Sequence, residues 1–149
     1  VLFFLGILIA ISSLQSAGHL TALATILEEN IGDIYIVNII IGLLSAIVDN
    51  VPLVAASMGM YPVYTMDTIL TLPPESAEYY KHFVQDGNFW EFLAYCAGTG
   101  GSALIIGSAA GVAVMGMERI DFLWYMKKMS LFAILGYLAG AAYYVFIVA

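Results

Sequence analysis

The sequence predicts an all-α integral membrane protein, and three observations carry that prediction. Of its 149 residues, 62% are hydrophobic and 10% charged, with a mean hydropathy of +0.96, where a soluble domain is roughly 45–50% apolar and 25% charged. Too few polar side chains remain to cover a water-facing surface, a demand that lipid does not make. The apolar residues fall in long runs separated by polar corners. Two of these runs are interrupted internally, which predicts a re-entrant helical hairpin and a discontinuous transmembrane helix.

Composition also excludes function classes. A net charge of −7 with four basic residues is unsuited to nucleic acid. Cys96 is the one cysteine, so no internal disulfide forms, and its place in an apolar run reads as a small packed side chain. No nucleophile and base stand at a useful spacing, and "GTGGS" lacks the lysine and strand context of a phosphate loop, so the chain reads as a non-enzyme. Val1 lies within an apolar run, without an initiator methionine or a signal-peptide pattern. The chain therefore reads as part of a larger transporter, with room for about one of two repeat halves.

Residues 1–27 predict a transmembrane helix with a kink near Gly18. Glu28, Glu29, Asn30 and Asp33 follow as a solvated acidic corner. Residues 34–64 predict the re-entrant hairpin. Its first arm, Ile34 to Val48, reaches only about 22 Å, short of a hydrocarbon core about 30 Å thick. A polar turn, Asp49, Asn50 and Pro52, then leads into a second short apolar run. Pro52 suits the first turn of the returning helix, where its missing N–H is no loss.

Residues 65–88 form the long polar segment, predicted as an external loop with a short surface helix starting near "PPES" and with His82 exposed. Residues 89–117 predict a discontinuous helix: Gly98, Thr99, Gly100, Gly101 and Ser102 interrupt it near the membrane midplane, each helical glycine costing about 1 kcal/mol. Gly107 and Gly111 read as a close-packing face. Residues 118–129 hold Arg119, Lys127 and Lys128 in a short connection, which marks the cytoplasmic side. A final transmembrane helix is predicted over 130–148.

Asp49 is the costly residue, because a carboxylate at mid-bilayer costs about 2.5–3.5 kcal/mol on insertion scales. Lys81, Arg119, Lys127 and Lys128 all map near membrane faces, which leaves a proton or a cation as its companion. Helix ends at the hairpin tip and near Ala97 and Gly98 present unpaired carbonyls. With oxygens from Ser45, Asp49, Asn50, Thr99 and Ser102 they make a hard-ligand environment suited to an alkali cation, with Asp49 and Asn50 as its direct ligands. Removing a carboxylate from water favours its neutral form, so proton and cation would compete for it. Asp49 can also cap the returning helix.

The stretches "SAIVDNVPLVAA" and "GTGGSALIIGSAAGVAVMG" resemble the hairpin and broken-helix motifs in the C-terminal repeat of NhaD-type sodium/proton antiporters, within the ion transporter superfamily that also holds dicarboxylate carriers. The resemblance covers nearly the whole chain. It implies an inverted-repeat fold, an elevator-like motion, a homodimer in the lipid bilayer, and Ser45, Asp49, Asn50, Thr99 and Ser102 as the second-repeat half of the ion site. The first-repeat hairpin lies outside this chain, and the 65–88 loop is long for the family. The expected activity is exchange of sodium or lithium for protons in a multi-pass protein of the bacterial inner membrane, with no cofactor beyond the transported ions. A sodium-coupled anion carrier on the same fold is the alternative, disfavoured by the charge of Asp49, and a non-transporting subunit fits the paired interruptions poorly.

Overall fold

Helices account for every regular element in the computed structural model, which describes residues 2–149 without the side chains of Phe3, Phe4, Ile7 and Glu28. Val1, and the place of the Glu28 side chain in the expected acidic corner, thus lie outside the described residues. Helix α1 (Leu2–Ser16) and α2 (His19–Asn30) are separated at Gly18, whose φ of 77° is a left-handed conformation that glycine enters without a Cβ penalty. The expected kink is a full break. α2 also runs past residue 27, because Ile31 N–H donates to Leu27 O at 2.9 Å, and the turn closes at Gly32 with φ 67°. Asp33 caps α3: its carboxylate accepts the N–H groups of Tyr35 and Ile36 at 2.8 and 3.0 Å.

α3 (Ile34–Leu44) and α4 (Asn50–Met60) each have 11 residues, about 16 Å of helix. Between them the chain tightens, with Ala46 N–H donating to Leu43 O and Ile47 N–H to Leu44 O. The arms diverge onto different neighbours. α3 lies along α7 (Asn88–Gly100), whereas α4 lies against α1 and α2 and meets α7 more lightly. Val37, Asn38, Ile41 and Gly42 of α3 are buried, but in α4 only Ser57 is.

The segment 65–88 is more than a solvated loop. It holds α5 (Met66–Leu70), α6 (Pro74–Tyr80) and a 3-10 turn at Lys81–Phe83. Phe83 is 1% exposed and sits 4.6 Å from the Phe89 ring and 5.3 Å from Tyr61. Trp90 Nε1 donates to Phe83 O at 3.2 Å, and Tyr64 N–H donates to the same carbonyl at 3.0 Å. These contacts pin the polar segment onto the hairpin base. His82 is half-buried, its ring 6.3 Å edge-on from Tyr35, in place of the exposed position expected. Burial pushes its imidazole below the ordinary value, Lys81 adds to this, and Glu78 partly opposes it.

α7 ends at Gly100. A 3-10 turn at Gly101–Ala103, an extended Leu104, a second 3-10 turn at Ile105–Gly107 and an extended Ser108 then separate it from α8 (Ala109–Met117). Ser108 caps α8 by accepting Gly111 N–H at 3.1 Å. The interruption thus covers 101–108, later than expected. Thr99 stays helical, donating its hydroxyl to Tyr95 O at 2.7 Å. Gly107 lies within the interruption and not on a helical packing face.

α9 (Phe122–Lys128), capped by Asp121, turns the expected connection into a short helix. α10 (Ser130–Tyr143) continues through a wider turn at Tyr144–Val148. Together they give 19 residues, the one helix among the described residues long and apolar enough to cross a membrane. Most of its large side chains face outward, Phe132 at 68% and Phe146 at 85% exposure, a surface that water would penalise.

α10 runs antiparallel to α7. Phe92 stacks on Tyr144 at 4.7 Å, and Tyr95 stacks on Tyr137 while donating its hydroxyl to Tyr137 O at 2.9 Å. Cys96 is fully buried in this seam with Phe92, Tyr137 and Ala141. Continuing the register brings Ser102 level with the first turn of α10. The interruption therefore lies toward one end of the longest helix, not at its middle.

Candidate functional site at the turn and the break

The turn between α3 and α4 and the interruption between α7 and α8 meet backbone to backbone. A Cβ on Gly100 would collide with the Gly42 carbonyl, and one on Gly107 would collide with the Ser45 carbonyl. Neither obstacle is a side chain that could rotate away, so only glycine permits this approach. Ser45 is fully buried between them and donates its hydroxyl to Ala97 O at 2.9 Å. This bond joins the end of α3 to the last turn of α7, and it uses one of the carbonyls expected to be unpaired there.

The sequence-predicted site residues divide into three groups. Ser45 stands at the junction. Asp49 and Asn50 are half-buried at the far side of the turn, where Asp49 Oδ1 accepts Val51 N–H at 3.4 Å, a long and weak cap. No other hydrogen bond reaches that carboxylate among the described residues, and the ion pair found there is Lys81–Glu78, so no cationic side chain neutralises it. Thr99 and Ser102 are exposed, and no hydrogen bond links either to Asp49 among the described residues. Asn50 lines the mouth of an open groove of about 410 Å3 between α4 and α7, with Val51 and Met58 on one wall and Ala94, Ala97 and Gly98 on the other.

Several residues at the junction escape sequence reasoning. Gly42 fits against Cys96 O and the Tyr137 hydroxyl, and Tyr137 donates that hydroxyl to Ile39 O at 2.9 Å. Tyr125 donates to Ser102 O at 2.8 Å, a contact over 23 residues with no local signal. Asn38 is the legible omission, a polar residue in the apolar run 34–48. It is fully buried and donates Nδ2 to Phe89 O at 3.1 Å, tying α3 to the start of α7.

An apolar, all-α chain whose two interruptions meet around main-chain oxygens has the architecture expected of a segment of a membrane ion transporter. Comparison with known proteins agrees. Over 143 residues, 96% of its length, the chain is 52% identical to sodium/proton antiporter 1 of Arabidopsis thaliana, and over the same number of residues 48% identical to sodium/proton antiporter 2 of that plant. It is 33% identical over 148 residues to the Na(+)/H(+) antiporter NhaD of Halomonas elongata. The chain spans 22%, 30% and 25% of those relatives. No protein-family model matches the sequence, and no solved structure matches it. The chain belongs to the NhaD-type sodium/proton antiporter family. Its relatives come from a plant as well as from bacteria, so it is placed in a membrane without assignment to the bacterial inner one.

Proposed function

We propose that this chain carries one half of the ion site of a transporter that exchanges sodium or lithium for protons. The observation that carries the reading is the junction itself: two chain interruptions that approach through Gly42, Gly100 and Gly107, with Asp49 in the turn and, among the described residues, no ion pair to its carboxylate. In this reading α3 and α4 form a re-entrant hairpin whose turn meets the interruption near the Ser130 end of the spanning helix. Asp49 and Asn50 hold the cation. Ser45, main-chain carbonyls of the interruption and the Thr99 and Ser102 hydroxyls complete an oxygen-rich surrounding once both interruptions move together.

Proton and cation compete for the Asp49 carboxylate, because a half-buried charge with no ion pair among the described residues favours one or the other. Competition makes the exchange obligatory. The remaining ligands come from the other repeat of the full transporter, which acts as a homodimer within lipid and needs no cofactor beyond the ions carried. The N-terminus of α4 would suit an anion, but Asp49 occupies it, which disfavours the sodium-coupled anion carrier.

The test is a sodium gradient imposed on proteoliposomes of the full transporter, following internal pH. Asp49→Asn is expected to abolish sodium-driven pH change while leaving the protein folded, and an unaltered response would remove Asp49 from the mechanism. Sodium-dependent uptake of labelled succinate by the same vesicles would favour the anion carrier instead.

A further inference from the structure

We propose that α9 is a docking surface for anionic lipid headgroups, and that Tyr125 links that surface to the interruption at 101–108. Three of the four basic residues, Arg119, Lys127 and Lys128, fall within positions 119–128 of a chain with net charge −7. All three are exposed, and among the described residues none forms an ion pair. Glu118 and Asp121 are the acidic neighbours, sharing with Arg119, Ile120 and Trp124 an open groove of about 350 Å3. Asp121 is engaged in capping, accepting Trp124 N–H at 2.9 Å. The two lysines stand at the opposite end of α9, in its last turn.

Next to the lysines, Leu123, Trp124 and Met126 are 53%, 52% and 41% exposed. A cationic end beside an aromatic and apolar flank matches the headgroup region, where lysines meet phosphate and an indole rests among the acyl carbonyls. The position follows from the chain: Ser130, the first residue of the helix long enough to cross a membrane, comes two residues after Lys128. The inference rests on that helix being the span. Tyr125, between the flank and the lysines, donates to Ser102 O, so a headgroup that fixes α9 also fixes one carbonyl of the interruption.

The full transporter in vesicles of phosphatidylcholine, with or without one part in five of phosphatidylglycerol, tests both halves of the proposal. Selectivity is read as the immobilised fraction of spin-labelled phosphatidylglycerol against spin-labelled phosphatidylcholine. Wild type is expected to select the anionic lipid, and Lys127→Gln with Lys128→Gln to lose roughly fivefold of that selectivity per lysine. Because Tyr125 ties α9 to Ser102 O, phosphatidylglycerol is expected to stimulate exchange by wild type, and Tyr125→Phe to keep the selectivity but lose that stimulation; no stimulation of wild type overturns the link. Equal selectivity in wild type and the double variant overturns the surface, as does displacement of the labelled lipid by millimolar inorganic phosphate. Full stimulation in Tyr125→Phe overturns the link. Selectivity is read without an ion gradient, so a transporter that selects the lipid yet exchanges no sodium would refute the proposed exchange and leave the lipid surface standing.

Discussion

α3 and α4 have equal length but are held very differently. α3 is fastened along its whole course: Asn38 to Phe89 O, Ile39 O to the Tyr137 hydroxyl, and Ser45 to Ala97 O. α4 has one buried residue, Ser57, whose hydroxyl returns to its own helix at Leu53 O, and an open groove separates part of it from α7. The difference lies in how each arm is joined to the rest of the protein: α3 by hydrogen bonds to other helices, α4 by packing. α3, α7 and α10 make a frame joined by these bonds, α4 packs mainly against α1 and α2, and Asp49 sits at the joint between the two groups.

The largest effect that would break this contrast comes from paired glycine substitutions. Gly100→Ala drives a Cβ into the Gly42 main chain and is expected to cost at least about 3 kcal/mol or prevent folding. Gly59→Ala on α4 meets only the end of the Leu20 side chain, which can rotate, and is expected to cost no more than about 1 kcal/mol. Denaturation in detergent compares them, and equal losses would mean that the arms are held alike.

Two buried serines sharpen the same point at smaller scale. Ser45→Ala removes a buried bond between helices and is expected to cost about 1–3 kcal/mol. Ser57→Ala removes only a bond within α4 and should stay near 0.5 kcal/mol. Thermal midpoints of the two variants decide it, and a larger loss for Ser57→Ala would reverse the contrast between α3 and α4.

The smallest expected effect concerns pH at the outer end of α3. His82 has its proton affinity lowered by burial beside Tyr35, so the unfolded chain binds the proton more readily than the folded one. Stability is then complete above the ordinary histidine value of about 6.5 and falls as pH drops through and below it. The melting temperature of wild type should decline over that window more than that of His82→Gln. Identical pH profiles would remove His82 as the cause.

How much of this was legible in the sequence depended on the range of the interactions. A break between two short helices was readable because Asp49, Asn50 and Pro52 interrupt an apolar run, a purely local pattern, but α3 stops earlier than expected, at Leu44, and Asn50 and Pro52 already belong to α4. The interruption of the second helix was readable as glycine-rich but was expected too early. Thr99 back-bonds to Tyr95 O and keeps its helix intact, while Leu104 and Ser108 are extended within a stretch whose apolar composition predicts helix. The frame was not readable at all, since Tyr95, Tyr137 and Tyr144 reach partners 42 to 98 residues away. Phe83 likewise lies in a segment that reads as polar until the fold brings Tyr61 and Phe89 onto its ring.

The central claim, that turn and interruption form one site, is tested most directly by a disulfide across the junction. A Cβ on Gly101 would lie 3.3 Å from Ser45 Oγ, within reach of a bridge. In the full transporter with Cys96→Ala, Ser45→Cys and Gly101→Cys are expected to join under mild oxidation in native membranes, seen as a cross-linked peptide by mass spectrometry. Two thiols that remain free and separately alkylated after oxidation would contradict the account.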